Sequence, residues 1–513
     1  MLAADIILEN ANVITMEPEQ PTAELVAIRG NRILLVGGDE ELKQVTGAKS
    51  RIIDCHGKTL VPGFNDAHCH IFSFVRKLLS LDLSPSSVGS IDDIKAAIHR
   101  RAQDTPPGEW LIGTGYNEFY LTEKRCPNRR DLDDVAPRHP VVLAHRSLHA
   151  CALNSMALSL AGITRETPEP PGALIDRDHA TGEPTGILFE MLSYIREKVL
   201  PPLSEEALTE GIASADKHYL SCGITSLQEA TISNDLGRWQ SFHRFKGKLK
   251  SRLSIMFGVE ALSRFQAAGL ASGYGDSQLR LGGAKILVRE TTGQLEPSQP
   301  ELNRQALAAH MAGYQLAIHA IEPNTVKAAI TALEHVNSHS PQNGQRHRIE
   351  HCSVCPPPLL ERLSKLHAVV VTQPPFLYYS GERYLATVPV GHLPWLYRIK
   401  SLVNSGLIVA ASSDSPVVPD NPLVGIYAAV TRKTESGRQL LPEECILAKQ
   451  ALAMYTINAA YASFEEDIKG SIAPGKLADI VVLSDDPVNS PPERIKDISV
   501  EMTIINGEVV WES

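Results

Sequence analysis

The chain has 513 residues, 43% of them hydrophobic and 21% charged, as is ordinary for a globular protein. Lys and Arg number 49 against 59 Asp and Glu, a formal charge of −10. The two signs are interspersed, which argues against a nucleic-acid surface and against a polybasic membrane-surface protein. No apolar run approaches the ~20 residues that span a bilayer, and the amino terminus lacks the basic-then-apolar pattern of a secretory signal. Eight irregularly spaced Cys are too sparse for a disulfide scaffold. The expectation is a cytoplasmic protein with reduced thiols and no nucleic-acid or membrane partner.

The first sixty residues read as short strands at 6–8, 12–16, 25–28 and 32–36, separated by Asn-, Pro- and Gly-containing turns as in antiparallel sheet. Residues 59–64 form a further apolar run that leads into Asn65-Asp66-Ala67-His68. From about residue 222, continuous apolar runs alternate with helical stretches, as expected for parallel strands buried on both faces. These runs fall at 223–227, 253–257, 284–288, 315–319, 348–351, 368–372 and 407–411. With 59–64 as the first strand, they make the eight strands of a (β/α)8 TIM barrel. Residues 72–215 spend 144 positions (215 minus 72, plus one) where one unit of ~31 would do, so they read as an inserted subdomain with a strand at 141–144. The last forty-five residues hold a strand at 478–483 and a hairpin at 500–511 turned by Asn506-Gly507, a strong hairpin signal. Neither end can bury a two-layer core alone. The expected division is a composite β-sandwich from 1–58 and 468–513, a barrel over 59–467 and the insertion over 72–215 within it.

His68-Cys69-His70 ends the first strand. Residues i and i+2 of a strand share a face, so His68 and His70 can share one metal ion while Cys69 points away. His319, His351 and Asp414 stand at the C-terminal ends of later strands, and Lys285 lies within one. Their separations are 34 (285 to 319), 32 (319 to 351) and 63 (351 to 414), or one, one and two barrel units of ~31 residues. That registration brings strands 1, 4, 5, 6 and 8 to the C-terminal mouth, where barrel active sites are built. Taken singly, a His at a strand end is usually a hydrogen-bonded rim residue, and an Asp before Ser415-Pro416 is usually a turn former; the shared registration singles them out. A cationic Lys285 inside a barrel is costly unless paired. It is either paired with a carboxylate or carboxylated by CO2, and the residues alone leave both readings open. Cys352 and Cys355 form one CxxC pair without a second, which reads as cysteines packed behind a strand end. Tyr116, Tyr378, Tyr379 and Trp395 fall in loop-like positions, and Tyr116 and Tyr379 are candidate substrate contacts.

This pattern resembles the amidohydrolase superfamily of metal-dependent hydrolases, and within it the family 3 branch of YtcJ-like and N-substituted formamide deformylase-like members. The matching stretches are Leu60-Val61-Pro62-Gly63-Phe64-Asn65-Asp66-Ala67-His68-Cys69-His70, His145-Arg146-Ser147-Leu148-His149, Asn154-Ser155 and Thr181-Gly182-Glu183-Pro184-Thr185-Gly186. Further on they are Arg346-His347-Arg348-Ile349-Glu350-His351, Ser413-Asp414-Ser415-Pro416-Val417 and the segment from Gly470 to Asp479. The resemblance implies two metal ions per chain, zinc by preference. His68, His70 and Asp414 would hold one, His319 and His351 the other, and carboxylated Lys285 would bridge them. Hydroxide between the metals would be the nucleophile, because metal binding brings the pKa of water near ~7, with Asp414 moving the proton. His149 would touch the substrate or orient its own loop. The resemblance also implies a homodimer.

Two stretches depart from the branch pattern. Lys285 is followed by Ile286-Leu287-Val288-Arg289-Glu290 rather than an Asp-Gly motif, and His319 by Ala320-Ile321-Glu322-Pro323-Asn324 rather than Ala-x-Gly-Asp. The expected activity is hydrolysis of an amide-type C–N bond, N-acyl or N-formyl, in a small molecule. The alternatives are ester or cyclic-amide hydrolysis, ring deamination, and a non-catalytic scaffold of the same fold. Such scaffolds typically lose metal ligands, whereas all six positions are filled here.

Overall fold

A computed structural model describes residues 3–341 and 344–513, and the chain divides into two compact units. The first comprises Met1–His70, Ala215–Val288 and Gln299–Ser513. Its centre is an eight-stranded parallel sheet. In order around it run Phe64–Cys69, Ile224–Glu229, Arg252–Gly258, Leu279–Leu287, Leu316–Ala320, Arg348–His351, Val369–Thr372 and Ile408–Ala411. The amide of Asp414, just past the eighth strand, donates to the His68 carbonyl at 2.9 Å, and that of Ser413 donates to Asp66 Oδ1 at 3.1 Å. These bonds draw the last strand end to the first, giving a (β/α)8 barrel. The strands are almost entirely buried because helices cover the outside and side chains fill the barrel. In Pro323–His339 the buried Val326, Ala329, Ile330, Leu333 and Val336 recur every three or four residues, the stripe a barrel-facing helix needs, and Pro323 opens it where its missing N–H costs nothing.

The two ends of the chain build two further sheets. One orders Arg32–Gly37, Leu25–Arg29, Ile6–Glu9 and Arg51–Asp54; the other orders Glu508–Glu512, Val500–Ile505, Ile480–Leu483, Thr59–Pro62, Asn12–Ile14 and Thr22–Ala23. Leu8, Val26, Ile28, Leu60, Val482 and Ile504 meet in one apolar core. Asn506 and Gly507 both have positive φ, 54° and 73°, as the tight hairpin turn requires.

Two expectations are corrected here. The sheets are mixed rather than antiparallel, since Ile6–Glu9 runs parallel to Arg51–Asp54 and Asn12–Ile14 parallel to Thr59–Pro62. The run 59–64 is not one barrel strand. Thr59–Pro62 pairs with Ile480–Leu483 in the terminal sheet, and the first barrel strand starts at Phe64. Gly63 joins them where a Cβ would lie 2.1 Å from Thr225 Oγ1. Barrel and terminal sheet are tied by a buried ion pair: Arg252 Nη2 donates to Asp479 Oδ1 at 2.8 Å and to Asn506 Oδ1 at 2.7 Å.

The second unit comprises Ile71–Ser214 with Arg289–Ser298, a ten-residue segment that the sequence reading left in the barrel. It holds a six-stranded mixed sheet in the order Leu174–Arg177, Pro184–Phe189, Ala150–Leu153, Val141–His145, Leu111–Tyr116, Leu81–Asp82. Helix Ile91–Asp104 is capped by Ser90, whose side chain accepts from the Asp93 amide, and packs Ile91, Ile94 and Ile98 into a core with Tyr116 and Leu143. Among the described residues no helix is long and apolar enough to cross a membrane, and all eight Cys carry free thiols.

Candidate metal centre

His68 is 1% exposed near the end of the first barrel strand. Its Nδ1 donates to the Glu350 carboxylate, which is fixed in turn by Arg348 through Nε at 2.7 Å and Nη2 at 3.0 Å. His70 Nδ1 pairs with Thr231 Oγ1 at 2.9 Å, and His351 Nδ1 pairs with Gln373 Oε1 at 2.8 Å. Gln373 donates onward to Ser412 Oγ at 2.9 Å. With each Nδ1 engaged, the opposite nitrogen is the one left to bind, the arrangement by which outer partners orient metal-ligating imidazoles.

His70 Nε2 lies 3.0 Å and His68 Nε2 3.6 Å from Asp414 Oδ1. Lys285 Nζ is 3.4 Å from His68 Nε2. The His351 ring lies 5.0 Å from that of His68 and 4.4 Å from that of His319, centroid to centroid. The six residues singled out by registration thus converge at the C-terminal ends of strands 1, 4, 5, 6 and 8.

Strand alternation alone would not place His351 here, because it follows the inward-facing Glu350. Positive φ at His351 (71°) and Cys352 (49°) breaks the alternation, and Asp414 also has positive φ (57°). Non-glycine residues held in this region carry strain that clusters at functional sites.

The charge states suit a cation. Burial and the neighbouring Lys285 push the His68 imidazole down, and burial, with Lys285, lowers that of His351, favouring the neutral rings that metal binding needs. Burial works to raise the Asp414 carboxyl, but the His70 hydrogen bond and the charges of His351 and His68 outweigh it and hold it below the usual carboxylate range. Burial pushes the Lys285 ammonium down to about 8 against the opposing pull of Glu350 and Asp414. His68, His70 and Asp414 each offer a ligand atom within 4.8 Å of one another. A donor set of imidazole and carboxylate fits a divalent ion such as zinc.

Sequence reasoning missed the residues around this centre. Arg348 and Glu350 are an i, i+2 pair on one strand, so the alternation that singled out His68 and His70 could have marked them. Thr231, Gln373 and Gln228, whose Oε1 accepts from Arg348 Nη1, carry no comparable signal. A further missed pair steadies the Asp414 loop. His218 Nε2 lies 2.6 Å from Asp420 Oδ1, Asp420 Oδ2 accepts from Ser415 Oγ at 3.3 Å, and the Ser415 carbonyl accepts from the His70 amide at 2.8 Å. Burial works to lower the His218 imidazole, but its bond to Asp420 carries it up to about 10.

The remaining candidates lie elsewhere. His149 belongs to the inserted unit, where its Nδ1 is 3.0 Å from Glu190 Oε1. Tyr116 is corrected: it ends a strand of that unit with its ring fully buried in the apolar core, so it offers no surface to a substrate. Tyr378 and Tyr379 lie on helix Pro375–Thr387 rather than in loops. Tyr379 packs partly buried against Phe376, Leu377 and their neighbours, and Trp395 ends a short helical turn, Leu393–Trp395. Cys352 and Cys355 are both buried.

A parallel barrel that gathers imidazoles, a buried lysine and a carboxylate at its C-terminal strand ends defines a metal-dependent hydrolase. The sequence profile described as "Amidohydrolase family" matches residues 51–511. YtcJ of Bacillus subtilis strain 168, which carries a provisional amidohydrolase name, is 31% identical over 98% of both chains. The N-substituted formamide deformylase of Arthrobacter pascens is 30% identical over 99% of this chain and 98% of its own. Among solved structures, a metal-dependent hydrolase of Pyrococcus furiosus, itself uncharacterized, matches with a TM-score of 0.72 at 25% identity, covering 94% of this chain and 100% of that one. The chain belongs to the amidohydrolase family.

Proposed function

We propose that this hydrolase cleaves an amide-type C–N bond, N-formyl or N-acyl, in a small molecule, with two divalent ions at the barrel mouth, and that it works as a cytoplasmic homodimer. The observation that carries the reading is the set of three imidazoles whose Nδ1 atoms are each tied to a fixed partner, facing a buried Asp414 and Lys285. A formamide deformylase similar over nearly its whole length supports the bond type. Divalent ions bound there supply Lewis acidity and lower the pKa of water toward ~7.

His68, His70 and Asp414 would hold one ion, and His319 and His351 would hold the other. A Lys285 amine brought down to about 8 has a neutral fraction near neutral pH. That amine would add to CO2 and release one proton, giving an anionic carbamate, a ligand suited to divalent cations. Asp414, held ionised, takes a proton from the attacking water and returns it to the departing amine nitrogen, work typically worth ~10²–10⁴-fold. Tyr379 is a proposed substrate contact, and His149, 3.0 Å from Glu190, is read as orienting its own loop.

The test is metal content by mass spectrometry on protein purified without chelator, followed by N-formyl and N-acyl amines as substrates. About two ions per chain, with turnover lost on chelation and restored by zinc, are expected. Protein that takes up no ion even with zinc and bicarbonate would overturn the reading and leave a scaffold.

A further inference from the structure

The inserted unit contains a cavity of about 40 Å³. One wall is a face of its sheet, where Ile112 and Thr114 on one strand and Val142 and Ala144 on the next point the same way. Across it Arg196 rises from Ile195–Val199, a turn of π-helix; such wide turns are rare and frequent at functional sites. The Arg196 guanidinium has five N–H donors, and among the described residues its one side-chain hydrogen bond is Nη1 to Ser73 Oγ at 3.1 Å. No Asp or Glu of the described residues pairs with it. The charge that bears on it is a second cation, Arg76, which also lines the cavity. Burial, with Arg76 adding, brings Arg196 down to about 10. Thr114, 5% exposed, has a buried hydroxyl with no partner among the described residues.

A half-buried guanidinium that faces a second cation and no counter-charge is costly, and so is an unsatisfied buried hydroxyl. One ligand relieves both. We infer that this cavity is a binding site for a small aliphatic monocarboxylate of formate to acetate size, its carboxylate on Arg196 and Thr114 Oγ1 and its alkyl end against the sheet. The volume sets the size: about 40 Å³ has room for about three water-sized groups. The fork of a guanidinium matches a planar carboxylate better than a chloride, and the apolar wall disfavours a hydrated divalent anion such as sulfate. The inference does not depend on the hydrolytic reading, since none of these residues belongs to the metal centre.

The test is calorimetric titration of the metal-loaded full chain with acetate at constant ionic strength, set beside chloride and the neutral isostere acetamide. Saturable acetate binding with no acetamide binding is expected. Arg196→Gln should weaken it at least ~10-fold, because charge-assisted pairing is lost. Arg196→Lys and Thr114→Val, which keep the charge or the shape, should weaken it less while leaving the far-ultraviolet circular dichroism unchanged. Acetate captured at the metal centre would persist in every variant. A titration unaffected by all three substitutions, or no saturable binding in the parent chain, overturns the site.

Discussion

Glu350→Gln probes the centre without touching a ligand. Glu350 is fully buried and accepts hydrogen bonds from Arg348 Nε, Arg348 Nη2 and His68 Nδ1. The amide keeps the shape but loses the charge, and it sets an NH2 group against one of those donors. Arg348, itself 1% exposed, then lies buried without its counter-charge, a defect worth about 3–5 kcal/mol. His68 loses the acceptor that fixes its ring and tautomer, and loss of such an outer partner typically costs about 10–100-fold in metal affinity, or ~1.4–2.7 kcal/mol. Two assays separate these effects: urea unfolding of the metal-free protein reads the first, and zinc competition with a chromophoric chelator reads the second. The double variant Arg348→Met/Glu350→Leu removes both charges, so it should recover most of the stability but none of the zinc affinity. Glu350→Gln protein with the parent's urea midpoint and the parent's zinc affinity would refute the reasoning.

Lys285→Ala should remove the amine on which the proposed carbamate would form. In ¹³C-bicarbonate the parent should show a carbamate carbon resonance that strengthens as pH rises toward 8, because a folded amine lowered to about 8 becomes neutral in that range, and the alanine variant should show none. The His218–Asp420 pair should give a second pH signature. Its folded imidazole is raised to about 10 above an unfolded value of ~6.5. Its stabilisation is therefore fully present below pH ~6.5 and is lost as pH rises toward 10. Asp420→Asn should flatten the fall in unfolding free energy across that window by an amount on the order of 1 kcal/mol or less, since the His218 side chain is 40% exposed; urea unfolding reads it, and an unchanged slope would count against the pairing.

The barrel was legible because several of its strands, buried on both faces, read as apolar runs that alternate with helical stretches. The seven placed from residue 222 onward coincide with observed strands to within a few residues, and Arg348–His351 matches end to end. The six candidate ligands were legible because the repeat of a barrel unit is a length that can be counted. The boundary at Gly63 was not, since Thr59–Pro62 and Phe64–Cys69 form one buried stretch broken by a single glycine and only pairing partners distant in sequence, such as Asn12–Ile14 and Ile480–Leu483, distinguish them. Tyr116 misled because an aromatic beside Gly115 and Asn117 looks like a loop residue, whereas inward packing of a strand end in a mixed sheet depends on neighbours that no local pattern reveals. Arg196 had no signal, since an arginine lacking a counter-charge is a statement about space rather than spacing.

The terminal sheet has a consequence for how the chain reaches this state. Leu60 pairs with Val482 and Thr59 with Leu483, so the early strands emerge from the ribosome with their apolar faces bare and wait through synthesis of the whole barrel for their neighbours. Pairings so distant in sequence form slowly, and unpaired strand edges invite aggregation meanwhile. Arg252 is made midway along the chain but finds Asp479 only near its end, so a buried cation too remains without its counter-charge until late. Assembly of this hydrolase is therefore completed by closure of its two ends upon each other, and until then the edge of Thr59–Pro62 that faces Ile480–Leu483 stays open.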